Sequence, residues 1–241
     1  MRVEISVESV AGARAAVAAG ADRVELCAGL SDGGLTPSAA LVELAAGVAE
    51  VHVLIRPRPG DFRYSRDDLA VMTRDIAVAR DLGATGVVVG ALDDDGAVAA
   101  ACAEFVEAAQ GMQTTFHRAV DVSADSRAAL DRIAELGFTR VLTSGRRRSA
   151  LDGAPLIREL AQRVAGRVEV MACGGVRAAN AARVRAATGV RDLHAAPRLA
   201  VPGAPGGDVS YAGVGVPAGH DHFETDAAEV AALCAVARQA S

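Results

Sequence analysis

Gly20-Ala-Asp-Arg-Val-Glu-Leu26 reads as the end of one element and the start of the next. Glycine takes the left-handed conformation just past a helix more easily than any other residue, and the short apolar alternation behind it suits a strand. The same arrangement returns as Gly83-Ala-Thr-Gly-Val-Val-Val89, Gly137-Phe-Thr-Arg-Val-Leu-Thr143 and Gly189-Val-Arg-Asp-Leu-His194. Copies spaced at roughly a quarter of the chain fit one for every second strand of a closed eight-stranded sheet.

Working outward, strands are expected at residues 3–7, 23–27, 51–57, 86–90, 113–118, 140–144, 168–173 and 192–196. Helical stretches are expected between them, among them 37–48, with Thr36 capping ahead of Pro37, 66–82, 124–136 and 154–164. Strand and helix alternating through 241 residues predicts an α/β fold with a parallel sheet: a (β/α)8 TIM barrel forming a single domain over 1–241. An open doubly wound sheet is the rival, and eight similar strands favour closure. Residues 197–222 break the pattern, being rich in Gly and Pro without a period, which leaves a lid, a partner contact or disorder open.

Composition narrows the function. The chain is 51% hydrophobic with no Trp, so small aliphatics must build the core. A net charge of −5 with no basic half speaks against nucleic acid. No run of 18 apolar residues is present to cross a membrane, and the opening residues read as a strand rather than a signal peptide, so a cytoplasmic location is expected. All 25 basic residues are Arg, which excludes a Schiff-base lysine, a P-loop lysine and the usual lysine anchor of a pyridoxal enzyme. Four cysteines occur without a CxxC pair, and Cys102 and Cys234 read as isolated reduced thiols.

Strand alternation assigns faces. With Val3, Ile5 and Val7 toward the helices, Glu4 and Ser6 face the barrel interior. By the same count Arg23, Glu25, Cys27, Arg56, Thr115, His117, Leu142, Ser144, Asp192 and His194 face inward, with Arg58 inward or at the mouth. Charges inside a barrel must pair or meet a ligand. A salt-bridge layer of Arg23 or Arg56 with Glu4 and Glu25 is one outcome. A polar mouth is the other, favoured because His117 and His194 fall near C-terminal strand ends.

At such a mouth His117 is the acid/base candidate, with Glu25 or Glu4 as its partner. Arg56 and Arg58, in the proline-stiffened stretch Arg56-Pro-Arg-Pro-Gly60, present guanidinium forks to a carboxylate or phosphate. Gly33 and Gly34 precede a helix and can bring amides to an anion, as can Gly174 and Gly175 after the seventh strand. Cys27 and Cys173 are the inward thiols for a soft metal, with His117 or His194 as co-ligands. His220 and His222 read as surface residues.

These segments closely resemble the CutC copper-homeostasis family. The likeness is carried by Gly20 to Cys27, Gly33-Gly-Leu-Thr-Pro-Ser38, Ile55-Arg-Pro-Arg58 with Gly60-Asp-Phe62, Thr115-Phe-His-Arg-Ala119 with Asp121, Arg140-Val-Leu-Thr-Ser-Gly145, Gly174-Gly175 and His194. The resemblance implies a single barrel, a cytoplasmic homo-oligomer and copper ion binding, with Cu(I) as the ion. It places Glu4, Glu25, Cys27, Arg56, His117, Arg118 and Asp121 at motif positions. Ser6 stands where relatives often carry cysteine, which removes a soft ligand. Ala195 and Ala196 follow His194 where relatives often carry small polar residues, which weakens a side-chain grip on phosphate.

Two functions follow. The resemblance implies copper handling, with Cys27 at a motif position and Cys173 the other inward thiol. The residue chemistry implies an isomerase, lyase or hydrolase for a small anionic or phosphorylated metabolite, with His117, Glu25 and Glu4 catalytic and Arg56, Arg58, Arg118, Ser144, Gly174, Gly175 and His194 holding the anion.

Overall fold

The computed structural model describes residues 1–202 and 220–239. Strands β1 (Arg2–Val7), β2 (Arg23–Leu26), β3 (Val51–Leu54), β4 (Gly86–Val89), β5 (Gln113–Phe116), β6 (Arg140–Thr143), β7 (Glu169–Ala172) and β8 (Asp192–Ala195) pair in chain order, and β8 returns to β1 to close the barrel. Every pairing in the barrel is parallel, and Glu4 aligns with Arg23 on one side and His194 on the other. Around it run α1 (Val10–Ala18), α2 (Ala39–Ala46), α3 (Arg66–Asp81), α4 (Cys102–Ala109), the short α5 (Ala119–Val122), α6 (Ser126–Glu135), α7 (Ala154–Arg163) and α8 (Ala178–Thr188).

The eighth helix arrives late. After β8 an antiparallel pair, β9 (Arg198–Pro202) and β10 (His220–Thr225), intervenes before α9 (Ala227–Gln239), which packs on α8, α1 and β1. The Gly/Pro-rich stretch 197–222 therefore opens and ends in strand, while 203–219 lies outside the described residues. His222 is exposed beside Glu224. No helix of the described residues is long and apolar enough to cross a membrane.

The outward strand residues Val3, Ile5, Val24, Val53, Val87, Phe116, Val141 and Leu193 meet the helices in one continuous core. Boundaries moved in instructive ways. The strand expected at 51–57 stops at Leu54, because beyond Ile55 the backbone turns to the neighbouring loop, where Arg56 N–H donates to Thr36 Oγ1 at 2.9 Å. Thr36 is thereby occupied, and the cap of α2 is Ser38, whose side chain accepts from Leu41 N–H. The helix expected at 124–136 starts at Ser126 because Asp125 caps it.

Candidate functional site

The barrel interior has two floors. On the lower floor Arg23 donates from Nε to Glu4 at 2.5 Å and from Nη2 to Asp192 at 3.1 Å. Arg140 donates to the same Asp192 oxygen at 3.2 Å and to Glu169 at 2.9 Å. Both guanidiniums are buried, so this is a structural ion-pair layer whose charges compensate one another. His52 is buried beside it, and neither ring nitrogen has a hydrogen bond. Burial, with the charges of Arg23 and Arg140, depresses its pKa to about 4, so the ring is neutral.

The upper floor is a cavity of about 380 Å³ at the C-terminal strand ends. Glu25, His194, His117 and Cys173 line it from β2, β8, β5 and β7 or the residues just past them. Its charged lining consists of Glu25 against Arg56, Arg118, Arg177 and Arg198, an inversion of the chain's net negative charge.

His194 joins the floors. Its Nδ1 donates to Glu4 Oε1 at 2.8 Å, and its Nε2 lies 3.8 Å from Glu25 Oε2. Burial alone would depress its pKa, but Glu25 and Glu4 together raise it. Burial likewise lifts the pKa of Glu4, yet the His194 hydrogen bond and the Arg23 charge hold this carboxyl well below the usual range. Glu25 goes the other way. Burial and the Glu4 charge raise it, against the pull of His194 and a hydrogen bond from Ser6 at 2.9 Å. Two buried carboxyls across one imidazole are thus pushed apart, the pattern by which acid and base roles separate. Glu4 is sealed in the lower floor, while Glu25 faces the cavity.

His117 is built differently. Its Nδ1 accepts the Ala119 N–H at 3.2 Å, which places the ring proton on Nε2. Nε2 has no partner, and the ring lines the cavity at 5% exposure with Phe62 against it at 4.6 Å. Burial and the charge of Arg56 lower its pKa to about 3. No carboxylate lies within 4.0 Å of it among the described residues, so the partner expected for His117 belongs to His194 instead. His117 is a neutral ring at the cavity wall with an unpaired hydrogen-bond donor.

Arg56 donates to the carbonyls of Asp32 at 3.0 Å, Gly34 at 2.8 Å and Gly60 at 2.8 Å, tying two loops together. Its Nε is buried without a partner. Gly33, expected to offer its amide to an anion, spends it on the Leu30 carbonyl at 3.2 Å. Its left-handed φ of 90° and the Arg56 Nη1 that a Cβ would meet at 3.2 Å explain the glycine. The Gly34 amide is likewise spent, on Gly29.

Arg58, two residues on from Arg56, lies outside the cavity lining, paired with Asp61 at 3.1 Å and stacked on Tyr64. Arg118 does line the cavity, held by Asp121 at 3.1 Å and Ser144 Oγ at 2.8 Å. Ser144 itself is fully buried behind Arg118, with Oγ 3.0 Å from Asp121 and 2.6 Å from the Arg147 carbonyl. Asp121 also receives Thr143 Oγ1 at 2.6 Å and the Ser144 and Arg146 amides. It is the residue that fixes Arg118, which resemblance alone had pointed to. Arg177 and Arg198 were not singled out in the sequence, because they lie past strands seven and eight, at the start of α8 and of β9, where the barrel alternation gives no face.

The thiols do not converge into a soft-metal site. Cys27 packs with Leu54 and Val88, bonded to Ser6 and to the Val7 carbonyl, and burial with the Glu25 charge pushes its pKa up to about 12. Cys173 packs with Leu142 and Met171, and burial pushes its thiol up further. Among the described residues the one cluster with three donors close enough for a metal is Glu4, Glu25 and His194, within 4.8 Å of one another. That set is oxygen and imidazole without thiolate, already engaged with Arg23 and Ser6. It does not fit Cu(I).

Fold and site together define a β/α-barrel protein with a buried Glu4–His194–Glu25 cluster and an arginine-rich mouth. A model of the CutC family matches residues 1–198, and the chain belongs to that family. A CutC family protein of Mesorhizobium japonicum is 45% identical over 203 residues, covering 83% of this chain and 79% of that one. One from Pasteurella multocida is 42% identical over 197 residues, covering 80% and 81%. The solved CutC of Streptococcus agalactiae, provisionally assigned to copper homeostasis, superposes with a TM-score of 0.75 at 31% identity over 80% of this chain and 97% of that one. The family match thus ends where β9 begins.

Proposed function

We propose that the mouth is a proton-transfer active site for a small anionic metabolite. The observation that carries this reading is the orphaned Nε2–H of buried His117, whose ring lines a cavity that also holds Glu25 and four arginines. An unpaired buried donor is costly and calls for a partner that arrives with the ligand. Glu25, with its raised pKa, gives or takes the proton at the reacting atom. His194 stabilises its charged form. His117 donates to the oxygen on which negative charge develops, which a neutral imidazole can do without itself titrating. Arg118 and Arg56 hold the ligand's charge. Isomerisation, elimination and hydrolysis all use these parts. Proton exchange from D2O into a panel of sugar phosphates and organic acids, followed by NMR, tests the reading: exchange that Glu25→Gln abolishes supports it. No exchange and no thermal shift with any compound sinks it.

Copper homeostasis comes to this chain through its family, and copper ion as cargo is the second reading. The donor chemistry of the mouth gives Cu(I) no thiolate pair, so no step here runs through the metal. Family membership also supports a cytoplasmic homo-oligomer, which sedimentation of the purified chain measures.

A further inference from the structure

The cavity has a side that the proton transfer does not use. Gly174, Gly175, Val176 and Arg177 line it after β7, and Ala196 and Arg198 after β8. The N–H groups of Gly174, Gly175 and Val176 make no hydrogen bond among the described residues, although Val176 is 1% exposed. Gly174 is half-buried and Gly175 exposed, but Val176 is buried, and a buried amide without a partner is rare, so its position at a cavity wall points to a missing acceptor. Gly174 and Gly175 both have positive φ, 96° and 67°, a backbone that suits successive amides turned toward an anion.

Two cations flank these amides. The Arg177 guanidinium donates to the carbonyls of Val176 at 2.7 Å and Ala196 at 3.5 Å, with no carboxylate within 4.0 Å among the described residues. Arg198 lies over the Phe223 ring at 4.8 Å and 3.7 Å from Glu8, leaving donors unspent. The α8 N-terminus is not itself the attraction: its first amide, Ala178, is taken by Glu229 of α9 at 2.7 Å. The open donors are those of the loop ahead of it. The ring of His117, with Nε2 unpartnered, lines the same cavity just past β5.

We infer that the Gly174–Arg177 loop and Arg198 form a cradle for a phosphate monoester, an assignment that rests on reading the mouth as a small-anion site. A planar carboxylate offers two oxygens and one charge. A phosphate offers three acceptor oxygens and close to two charges at neutral pH, which matches three amides and two guanidiniums. The ligand is then a phosphorylated small molecule whose phosphate sits at the β7–β8 side and whose reacting end reaches Glu25 and His117. Arg198 begins β9, so the strand pair after the barrel contributes directly to selecting the ligand.

The test is titration of the full chain with inorganic phosphate and, separately, malonate, by calorimetry and ³¹P NMR. One phosphate per chain is expected. Arg177→Ala and Arg198→Ala each weaken it roughly tenfold or more, as loss of a charge-assisted contact does. Arg58→Ala, outside the cavity, leaves it unchanged, and circular dichroism verifies that each variant is folded. Absence of phosphate binding, or binding indifferent to both cavity variants, overturns the cradle. If malonate binds, phosphate does not, and organic acids exchange protons at Glu25, the active site stands and the cradle falls. If phosphate binding depends on Arg198 while no panel compound exchanges protons, the cradle stands and the proton-transfer reading falls.

Discussion

His194 Nδ1 stands 2.8 Å from Glu4 Oε1, and this one hydrogen bond connects the sealed ion-pair floor to the open mouth. Glu4 also holds Arg23 at 2.5 Å. The imidazole is therefore oriented by a fully buried carboxylate that is not part of the cavity lining. Glu4→Gln leaves Arg23 partly uncompensated in the interior and is expected to cost about 3–5 kcal/mol of stability, the usual penalty for removing one partner of a buried pair. It also removes one of the two carboxylates that raise the His194 pKa, so the His194 titration followed by NMR moves down. An unmoved midpoint would show that Glu25 alone sets the charge on His194.

A second prediction concerns pH. His52 titrates at about 4 in the folded chain against 6.5 as a free side chain. The unfolded state then binds more protons between those values, so stability is full above pH 6.5 and falls as pH drops toward 4. The shift corresponds to on the order of 3 kcal/mol. His117, with its pKa near 3, adds in the same direction. Chemical denaturation of His52→Leu across pH 4–7 should show a flatter slope. At pH 7 the variant should be no less stable than the parent, because it removes two buried nitrogens that have no hydrogen bond. Equal slopes in parent and variant would contradict this account.

The sequence made the barrel readable because its two periods are clean: apolar residues alternate in the strands, and glycines follow the helices. Parity alone placed Glu4, Glu25, His117 and His194 on the inner face, where all four lie. Parity gives a face but not a height or a direction. It could not tell that Glu4 is sealed below while Glu25 opens above, nor which histidine meets the carboxylates. Arg56 and Arg58 share a loop and a parity, yet only Arg56 lines the cavity, because Asp61 and Tyr64 hold Arg58 outside. Neither His52 nor Arg140 is assigned an interior role by its sequence context, although both are buried in the barrel, since neither lies near a C-terminal strand end. The β9–β10 pair was hidden because the connection between its strands is long and without a period.

Copper offers a third prediction. Cu(I) binds tightly where thiolates converge, and here Cys27 and Cys173 pack in separate apolar clusters with their thiols held protonated by burial. Titration of the fully reduced chain with buffered Cu(I) should show only weak binding, and Cys27→Ser and Cys173→Ser should leave it unchanged. A tight one-to-one complex abolished by Cys27→Ser would place the cargo on the barrel and displace the organic ligand as the first reading.

The two polar groups of the mouth should be separable by kinetics once a compound exchanges protons. Glu25 is proposed to move the proton, so Glu25→Gln removes the proposed proton carrier and should slow exchange about 10²–10⁴-fold. His117 donates a hydrogen bond without titrating. His117→Asn keeps a donor of shorter reach, and the expected loss is smaller than that for His117→Ala, about 10²–10³-fold by analogy with an oxyanion donor. The pH profile distinguishes the roles further. A histidine base would make the rate fall as pH drops through 6.5, but His117 stays neutral down to about 3. The parent profile should therefore carry no inflection that His117→Asn removes, whereas Glu25→Gln should eliminate the limb set by the raised carboxyl. An inflection near 6.5 that vanishes with His117→Asn would make His117 the proton carrier and reverse the assignment of the two residues.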